Sequence, residues 1–410
     1  MALTFDYKVR DRSGKLVEGQ LEGDSLSLVV GKLREMGYLP ISVSPKARTS
    51  VNREITIPGV TNRVKLTEIA VATRQMATMI DSGLSVVRSL VILAGQVENK
   101  ELARVLAEVR VDVERGSSLS AACARHPKIF NTLFITMVQA GEAGGHLDSV
   151  LLDLANTMEK QAVLRRKVRS AMTYPAIVLS VMVIIFLALL IFIVPVFQKL
   201  FLSLHAKLPL PTQIVIDISK IVLSVWSVLL LAIMVGGIVA LRKWIKTEDG
   251  RLKWDAFKLR PPIFGQLTHK VSMARFAHTL GSLIEAGVPI LESLDIVSDT
   301  AGNQVVGNAL LEAKAGVREG RSLADTLREH EEVIPALVTQ MVEVGEQTGA
   351  LDNMLHKVGQ FYDGEVESTV NNLTSMLEPI LTIVMGVGVG VMVISMYLPM
   401  FSYIKHIPQS

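Results

Sequence analysis

The chain has only one cysteine, Cys123, among its 410 residues. A single thiol cannot form an internal disulfide and supplies no cluster of sulfur ligands for a metal. The glycine that a phosphate-binding loop needs five residues upstream is missing before both Gly14-Lys15 and Gly31-Lys32. No H-E-x-x-H zinc motif occurs, and the net charge of +3 creates no global field that would attract nucleic acid. We therefore expect neither an enzyme nor a nucleic-acid-binding protein, and we expect no cofactor.

Apolar residues are abundant and unevenly distributed. They make up 50% of the chain, and charged residues make up 20%. The mean hydropathy of +0.40 is too high for a water-soluble protein, whereas the charge is too high for a chain that lies wholly in lipid. Residues 177–194, 221–241 and 380–398 form apolar runs without charge. Since about 20 residues of helix cross a bilayer, these runs predict three membrane spans; a buried soluble helix is the alternative for any one of them.

Basic residues predict the orientation of the spans. They flank the first span on its N-terminal side and the second on its C-terminal side: Arg165, Arg166, Lys167, Arg169, Arg242, Lys243, Lys246, Arg251 and Lys253. The loop between these spans holds only Lys199 and Lys207. By the positive-inside rule both basic flanks are cytoplasmic. The run from Arg165 to Arg169 also suits anionic lipid headgroups, or an acidic cytoplasmic partner. We expect a cytoplasmic N-terminus, because no signal-like apolar run begins the chain, and parity then places Ser410 outside.

The chain repeats itself at a constant offset of 204 residues. Gly83 recurs as Gly287, Pro175 as Pro379 and Pro195 as Pro399, without a gap. Such a register through a soluble-looking segment and a span indicates a duplicated unit. If both copies keep their helical part in the cytoplasm, a return span is obligatory, and the unrepeated second span is predicted to fill that role.

Periodicity predicts the elements. Alternating residues at 5–10 and 16–22 predict a β-hairpin, followed by a helix capped by Ser25 and a short strand at 41–43. From Thr67 onward, apolar residues recur at helical spacing between Gly and Pro breaks. The last helix before the first span is predicted to continue into it from about His146, with a kink at Pro175.

The expected fold is a mainly α membrane protein with two repeated cytoplasmic bundles of about six helices, three transmembrane helices and a small N-terminal α+β module. The expected divisions are the module (1–45), a linker (46–65), bundle 1 (66–175), transmembrane helix 1 (176–197), an extracytoplasmic loop (198–213), transmembrane helix 2 (214–241), a cytoplasmic connector (242–268), bundle 2 (269–379), transmembrane helix 3 (380–401) and an extracytoplasmic tail (402–410).

The most specific motif that the two copies share is Gly-Glu-x-x-Gly-x-Leu-Asp. It spans residues 141–148 and 345–352. One interpretation is structural: both glycines permit positive φ at a tight turn, and the aspartate suits the start of the next helix. The alternative is contact with a partner or a divalent cation through carboxylates. The weak metal candidates are Glu142, Asp148, Glu346 and Asp352.

Polar residues near the spans carry further hypotheses. Glu378 stands beside Pro379 where the first copy has Tyr174. A carboxylate so close to hydrocarbon is either an anchor that reaches water or a functional group. Asp217 and Lys220 are expected to pair one helical turn apart. The residues from Gly386 to Gly390 allow close helix approach, within the chain or between two chains.

Taken together, these motifs resemble the inner-membrane platform family of type II secretion systems and type IV pili, known as secretion protein F or pilus assembly protein C. The resemblance covers essentially the whole chain. It is carried by Thr73-Arg74-Gln75-Met76-Ala77 with Ser82-Gly83-Leu84, their echo in the second copy, the Gly-Glu motif pair, Tyr174-Pro175, Glu378-Pro379 and Tyr397-Leu398-Pro399-Met400-Phe401. The copies differ at Arg74 against His278 and at Ser85 against Pro289, which raises the hypothesis that they bind different partners.

The resemblance implies a non-enzymatic platform in the inner membrane. Its partners would be a cytoplasmic hexameric assembly ATPase, pilin or pseudopilin subunits, other inner-membrane assembly proteins, the lipid bilayer and further copies of itself as a dimer or higher oligomer. The ending Met396–Pro399 favours the pilus branch. A membrane-anchored adaptor without a role in filament assembly is the alternative, and a small transporter fits less well because the spans lack internal charge. The candidate structural or partner-binding residues are Arg74, Gln75, Gly83, Gly141, Glu142, Gly145, Tyr174, Pro175, Gly287, Gly345, Glu346, Gly349, Glu378, Pro379 and Pro399.

Overall fold

The computed structural model describes residues 3–10, 16–23, 26–45, 64–203 and 208–404. The chain separates into two compact units, Met1–Asn62 and Arg63–Ser410. The boundary falls inside the stretch predicted as a linker, residues 46–65, of which only the last two residues lie in the described ranges.

The first unit combines a three-stranded antiparallel sheet with one helix. Its elements in chain order are β1 (Leu3–Arg10), β2 (Leu16–Gly23), α1 (Leu26–Glu35) and β3 (Leu39–Pro45). β1 lies between β2 and β3 and pairs with both. Its alternating pattern places every second side chain on the face that α1 covers. The small core consists of Phe5, Val9, Val29 and Leu33. The hairpin prediction is confirmed, whereas the hairpin turn and Ser25 lie outside the described residues.

Six helices form the first repeat. They are α2 (Leu66–Asp81), α3 (Val86–Gln96), α4 (Lys100–Glu114), α5 (Leu119–Ala124), α6 (Thr132–Gly144) and α7 (Leu147–Ala188). Four of them start at a residue whose side chain accepts a hydrogen bond from a backbone N–H of the first turn. These caps are Ser85, Asn99, Ser118 and Asn131. The predicted bundle of about six helices is confirmed for this copy.

The last helix of the repeat is also the first span. α7 passes from the bundle into the apolar run without a break and continues through a π turn at Leu189–Ile193 into α8 (Val194–Ser203). The whole helical stretch, Leu147–Ser203, is 57 residues long. Pro175 lies inside α7, and the kink there stays a prediction. Because α8 extends to Ser203, the loop expected from residue 198 begins later.

The second apolar segment is divided. It contains α9 (Leu210–Leu223) and α10 (Val225–Trp244), and Ser224 between them is extended, with φ −88° and ψ 163°. The expectation of one transmembrane helix over 214–241 is corrected accordingly. Ser224 interrupts the helix because its hydroxyl accepts from the N–H of Trp226 and caps α10. α9 packs on the ends of the other spans, whereas α10 has no buried residue.

The second repeat follows a connecting helix. The elements are α11 (Glu248–Leu259), α12 (Phe264–Glu285), α13 (Ile290–Thr300), α14 (Gln304–Arg318), α15 (Leu323–Arg328), α16 (Ala336–Thr348) and α17 (Leu351–Ile404). α12 to α17 repeat α2 to α7, which confirms the second bundle, although α12 begins before the expected bundle start at residue 269. The connecting helix α11 packs against the second bundle, where the buried carboxylate of Asp255 accepts a hydrogen bond of 2.8 Å from the N–H of Gln304 at the start of α14.

The two repeats share one continuous hydrophobic core. A buried hydrogen bond of 2.7 Å joins the hydroxyls of Thr157 in α7 and Ser282 in α12. In the described part of the chain, three helical stretches are long and apolar enough to cross a membrane: Leu147–Ser203, Val225–Trp244 and Leu351–Pro399. The bundles expected as separate domains therefore form one packed body from which the spans extend.

Candidate functional site

The glutamate of the first Gly-Glu motif caps a helix that lies 23 residues earlier in the chain. Glu142, in α6, accepts hydrogen bonds from the backbone N–H groups of Leu119 at 2.5 Å and Ser120 at 3.2 Å, and from the Ser120 hydroxyl at 2.5 Å. Ser118 accepts from the next free N–H, that of Ala121. Every orphan donor at the start of the six-residue helix α5 thus has a partner. The carboxylate holds a helix too short to be stable alone.

The second copy reproduces this cap. Glu346, in α16, accepts from the N–H groups of Leu323 at 2.7 Å and Ala324 at 3.0 Å, at the start of α15. Asp148 and Asp352 lie instead in the first turns of α7 and α17. Within the described residues, no three His, Cys, Asp or Glu side chains gather where they could hold a metal ion. The geometry thus supports the structural interpretation of the motif.

The two glycines of the motif have different roles. Gly145 has φ +73° and Gly349 has φ +69°, and both end a helix in the left-handed region. Gly141 and Gly345 lie inside helices with ordinary φ, so the expectation of positive φ at Gly141 is wrong. They are small because the next helix approaches closely: a Cβ on Gly345 would lie 2.8 Å from the Cα of Leu351. Cys123, in α5, is buried in the hydrophobic core, and burial raises the pKa of its thiol.

Arg74 forms an ion pair across the first bundle. Its Nε lies 2.6 Å from Oε1 of Glu159 in α7, and its Nη2 lies 2.8 Å from Oε2. Nη2 also donates to Oδ1 of Asn156 at 2.6 Å. The hydrogen bond with Glu159 raises the pKa of Arg74. Gln75 is exposed beside it.

The second copy replaces both members of this pair together. Nε2 of His278 lies 2.8 Å from Oδ2 of Asp363, and these residues stand 204 positions after Arg74 and Glu159. The shorter imidazole fits because Gly359 leaves room: a Cβ there would lie 2.6 Å from the His278 ring. The difference between Arg74 and His278 is therefore matched inside the molecule and requires no difference in partners. Sequence reasoning missed Glu159 and Asp363, although the repeat register could have found them.

The two pairs border a polar cleft between the long helices α7 and α17. Asn156, Glu159, Lys160, Lys167, Asp363 and Glu367 line the cleft. Glu159 and Asp363 occupy equivalent positions of the two copies on opposite walls of the cleft. Further along, Lys167 is joined to Glu367 by an ion pair of 2.8 Å. The helices are thus connected by charges just before they reach the apolar spans.

The other predicted residues lie along the spans and turns. Gly83 and Gly287 end α2 and α12, with φ +87° and +79°. Tyr174 and Glu378 are exposed on α7 and α17, next to Pro175 and Pro379, and neither is brought to the cleft. Lys220 and Asp217 form the expected ion pair, at 3.2 Å.

Two contacts tie the spans together. A Cβ on Gly388 would collide with the ring of Phe186 in α7, whereas a Cβ on Gly386 or Gly390 would meet no side chain or other helix of the described residues within 4 Å. The close approach expected in this glycine-rich segment is therefore made within the chain at Gly388. Pro399 is buried near the end of α17, where the rings of Phe197 and Tyr397 make an edge contact with centroids 6.4 Å apart.

Comparison with known proteins agrees with this architecture. Residues 72–195 and 276–399 each match the family described as type II secretion system (T2SS), protein F, and residues 1–44 match the N-terminal domain of that protein. The chain is 41% identical to the type IV pilus assembly protein PilC of Thermus thermophilus over 400 residues, which cover 98% of each chain. It is 40% identical to PilC of Myxococcus xanthus, over 97% of this chain and 94% of the relative. Identity with the type II secretion system protein F of Pseudomonas aeruginosa is 31%, over 97% and 98%.

Proposed function

Because the chain belongs to the type II secretion system protein F family, whose members serve as membrane platforms of pilus and secretion machines, we propose that it couples a cytoplasmic assembly ATPase to the insertion of pilin or pseudopilin subunits into a growing filament. It contributes no catalytic step of its own. The bundles receive motion from the ATPase, and the spans transfer it to subunits in the membrane.

The continuity of α7 and α17 carries this proposal. Each helix begins in a bundle and ends beyond an apolar span, over 57 residues for Leu147–Ser203 and 54 for Leu351–Ile404. Pro175 and Pro379 each remove one backbone hydrogen bond, but both helices continue across them, so a displacement of the bundle moves the span as well. The ion pair between Lys167 and Glu367 connects the two helices laterally.

We propose the pilus branch and a defined orientation in the inner membrane. The higher identity with pilus assembly proteins supports the former. The basic flanks of the first two spans support cytoplasmic bundles, with the N-terminus inside and the C-terminus outside. Other inner-membrane assembly proteins complete the set of proposed partners.

A matched pair of variants tests the mechanical coupling. Asn371, Asn372 and Ser375 are exposed on α17 in the turns that precede Pro379. Replacing all three by glycine weakens the helix by about 1 kcal/mol per residue relative to replacing all three by alanine. We expect the glycine variant to reach the membrane but to lose surface filaments, and the alanine variant to keep them.

Association with the ATPase tests the partner. A solubilised chain should retain the assembly ATPase in a pull-down, and deletion of the gene should abolish filaments. Filaments that persist in the deletion, together with no retained ATPase, would establish the adaptor alternative instead. Filaments in both the glycine and alanine variants, with the ATPase retained, would reject only the mechanical role of α17.

A further inference from the structure

The packing between the two repeats is not symmetric. A stripe on α12 and its C-terminal cap, made of Arg275, Thr279, Ser282 and the cap residue Ala286, is covered by α6 and α7 of the first repeat. Thr279, Ser282 and Ala286 are 0%, 1% and 6% exposed. The contact thus uses one surface of the second repeat and a different surface of the first.

Each of these surfaces has an unused equivalent in the other repeat. The stripe on α12 corresponds to Val71, Gln75, Thr78 and Ser82, which we call the α2 stripe, and all four are exposed. Ala140 and Thr157, which lie on the covering surface of the first repeat, correspond to Val344 and Phe361. We call the exposed residues Lys357 and Phe361 of α17, together with Val344 of the neighbouring α16, the α17 face.

The exposed residues on these surfaces are unusually apolar for their position. Val71 is 53% exposed, Val344 is 45% and Phe361 is 49%. Their equivalents in the internal contact are Arg275, Ala140 and Thr157, so the outer surfaces carry larger apolar groups than the inner ones. On the α17 face Val344 and Phe361 lie together, whereas on the α2 stripe Val71 is the one apolar side chain among polar neighbours. Exposed large apolar groups of this kind mark interaction surfaces.

The charges on the two surfaces are complementary. Asp153 and Glu285 occupy one end of the internal contact, where burial and the charge of Glu285 raise the pKa of Asp153. Their equivalents on the outer surfaces are Lys357 and Asp81, of opposite charge. Both are exposed and neither has an ion-pair partner within the described part of the chain. Superposing the internal contact on the outer surfaces would bring this cation and this anion together.

The internal arrangement is also compatible with one membrane plane. α7 and α17 lie side by side, and the Lys167–Glu367 pair joins positions 200 residues apart, close to the repeat offset. The two spans therefore run parallel at nearly the same level. If a second chain is placed by the same rotation and translation that superposes one repeat on the other, its spans lie in the same membrane with the same orientation.

From these observations we propose that a second copy of this chain occupies the α2 stripe, by placing its α17 face there in the manner in which the first repeat covers α12. Such a contact is heterologous, because each chain contributes a different surface. It therefore leaves one α2 stripe and one α17 face free for further copies, and forms a ring if the rotation closes.

Disulfide trapping between two chains in native membranes tests this interface. In a C123A background, chains carrying T78C and chains carrying F361C are given different epitope tags and expressed together. Thr78 and Phe361 are the equivalents of Ser282 and Thr157, whose hydroxyls are 2.7 Å apart in the internal contact. After oxidation we expect a reducible product of twice the 44.8 kDa chain mass that carries both tags.

Two controls define the result. The C123A/T157C/S282C chain should form an intrachain disulfide under the same oxidation, which shows that the background folds and that the contact geometry permits the bond. D81K in the T78C chain should reduce the two-tag product several-fold, and K357D in the F361C chain should restore it. This recovery depends on the proposed charge pair and not on proximity alone.

Other outcomes would overturn the proposal. Products that contain only T78C chains would indicate a two-fold contact through α2. If the two-tag product is missing while the internal control forms its disulfide, the stripe is covered by something else, such as the N-terminal unit of the same chain. Neither result bears on the coupling to the ATPase proposed above.

Discussion

Removing the carboxylate of Glu142 should destabilise the short helix α5. Glu142 provides the acceptors for the backbone N–H groups of Leu119 and Ser120, and Glu142→Ala leaves these donors without a partner. A hydrogen bond to a charged group contributes about 1.5–3 kcal/mol, and loss of a helix cap costs about 0.5–2 kcal/mol. We therefore expect α5 to open about 2–3 kcal/mol more easily.

Amide hydrogen exchange of the detergent-purified chain measures this opening directly. At about 1.4 kcal/mol per tenfold change, exchange in the peptide that contains α5 should accelerate about 30- to 150-fold. Glu142→Gln keeps one acceptor oxygen and should have a smaller effect. The exchange of α15 should not change, because Glu346 caps it independently.

Two control variants separate this cap from a general loss of stability. Asp148→Asn removes only a favourable charge at the start of α7, worth about 0.3–1 kcal/mol, and should leave α5 protected. Glu346→Ala should accelerate α15 and not α5. Unchanged exchange of α5 in Glu142→Ala, or equal acceleration of α5 in both glutamate variants, would refute the capping argument.

Three further predictions follow from the same structure. Gly345→Ala should lower the free energy of unfolding by about 1–3 kcal/mol through overpacking against the next helix, and Gly349→Ala by about 1–2 kcal/mol through its left-handed φ; both losses should appear as a lower thermal midpoint. Asparagine should be milder than alanine only at residue 349. The same ranking at both positions would contradict these roles. In an Ala155→Gly background, which gives an imidazole the room that Gly359 gives His278, Arg74→His with Glu159→Asp should recover part of the stability lost by either change alone. The coupling should be about 0.5–1 kcal/mol because both groups are more than a third exposed; strictly additive midpoints would rule the pairing out. The folded state raises the pKa of Asp153, so it binds more protons than the unfolded chain and loses stability as the pH rises from the ordinary carboxyl pKa through the raised one. Asp153→Asn should therefore raise the melting temperature at neutral pH but not below pH 3.8. An equal effect at both pH values would argue against ionisation as the cause.

Local patterns predicted the helices well. Helix boundaries at Ser85, Ser118 and Asn131 could be predicted because a capping side chain acts on N–H groups in its own first turn. Length and hydropathy likewise identified three apolar helices, since the length of a spanning helix is set by the thickness of the lipid bilayer and not by the fold of the protein. The break at Ser224 was missed because a lone serine in an apolar run is compatible with both a continuous helix and a cap.

The candidate site was harder to predict from the sequence. The Gly-Glu motif could be recognised as shared, but its glutamates act on helices 22 and 23 residues away. Helical spacing relates residues three or four apart, and it carries no information on such contacts. The role of Gly141 was assigned wrongly for the same reason, because the close approach of Leu147 and Val150 depends on how two helices cross.

The duplication was determined by the sequence alone, because a constant register of glycines and prolines is visible without any structure. That register also implied two bundles in one orientation and therefore an unpaired span between them. Only the tertiary structure decided how the two copies pack: which surface of one covers which surface of the other, and that Arg74–Glu159 became His278–Asp363 as a pair. The physical reason is that equivalent residues begin with the same local preferences but meet different neighbours once the second copy folds against the first.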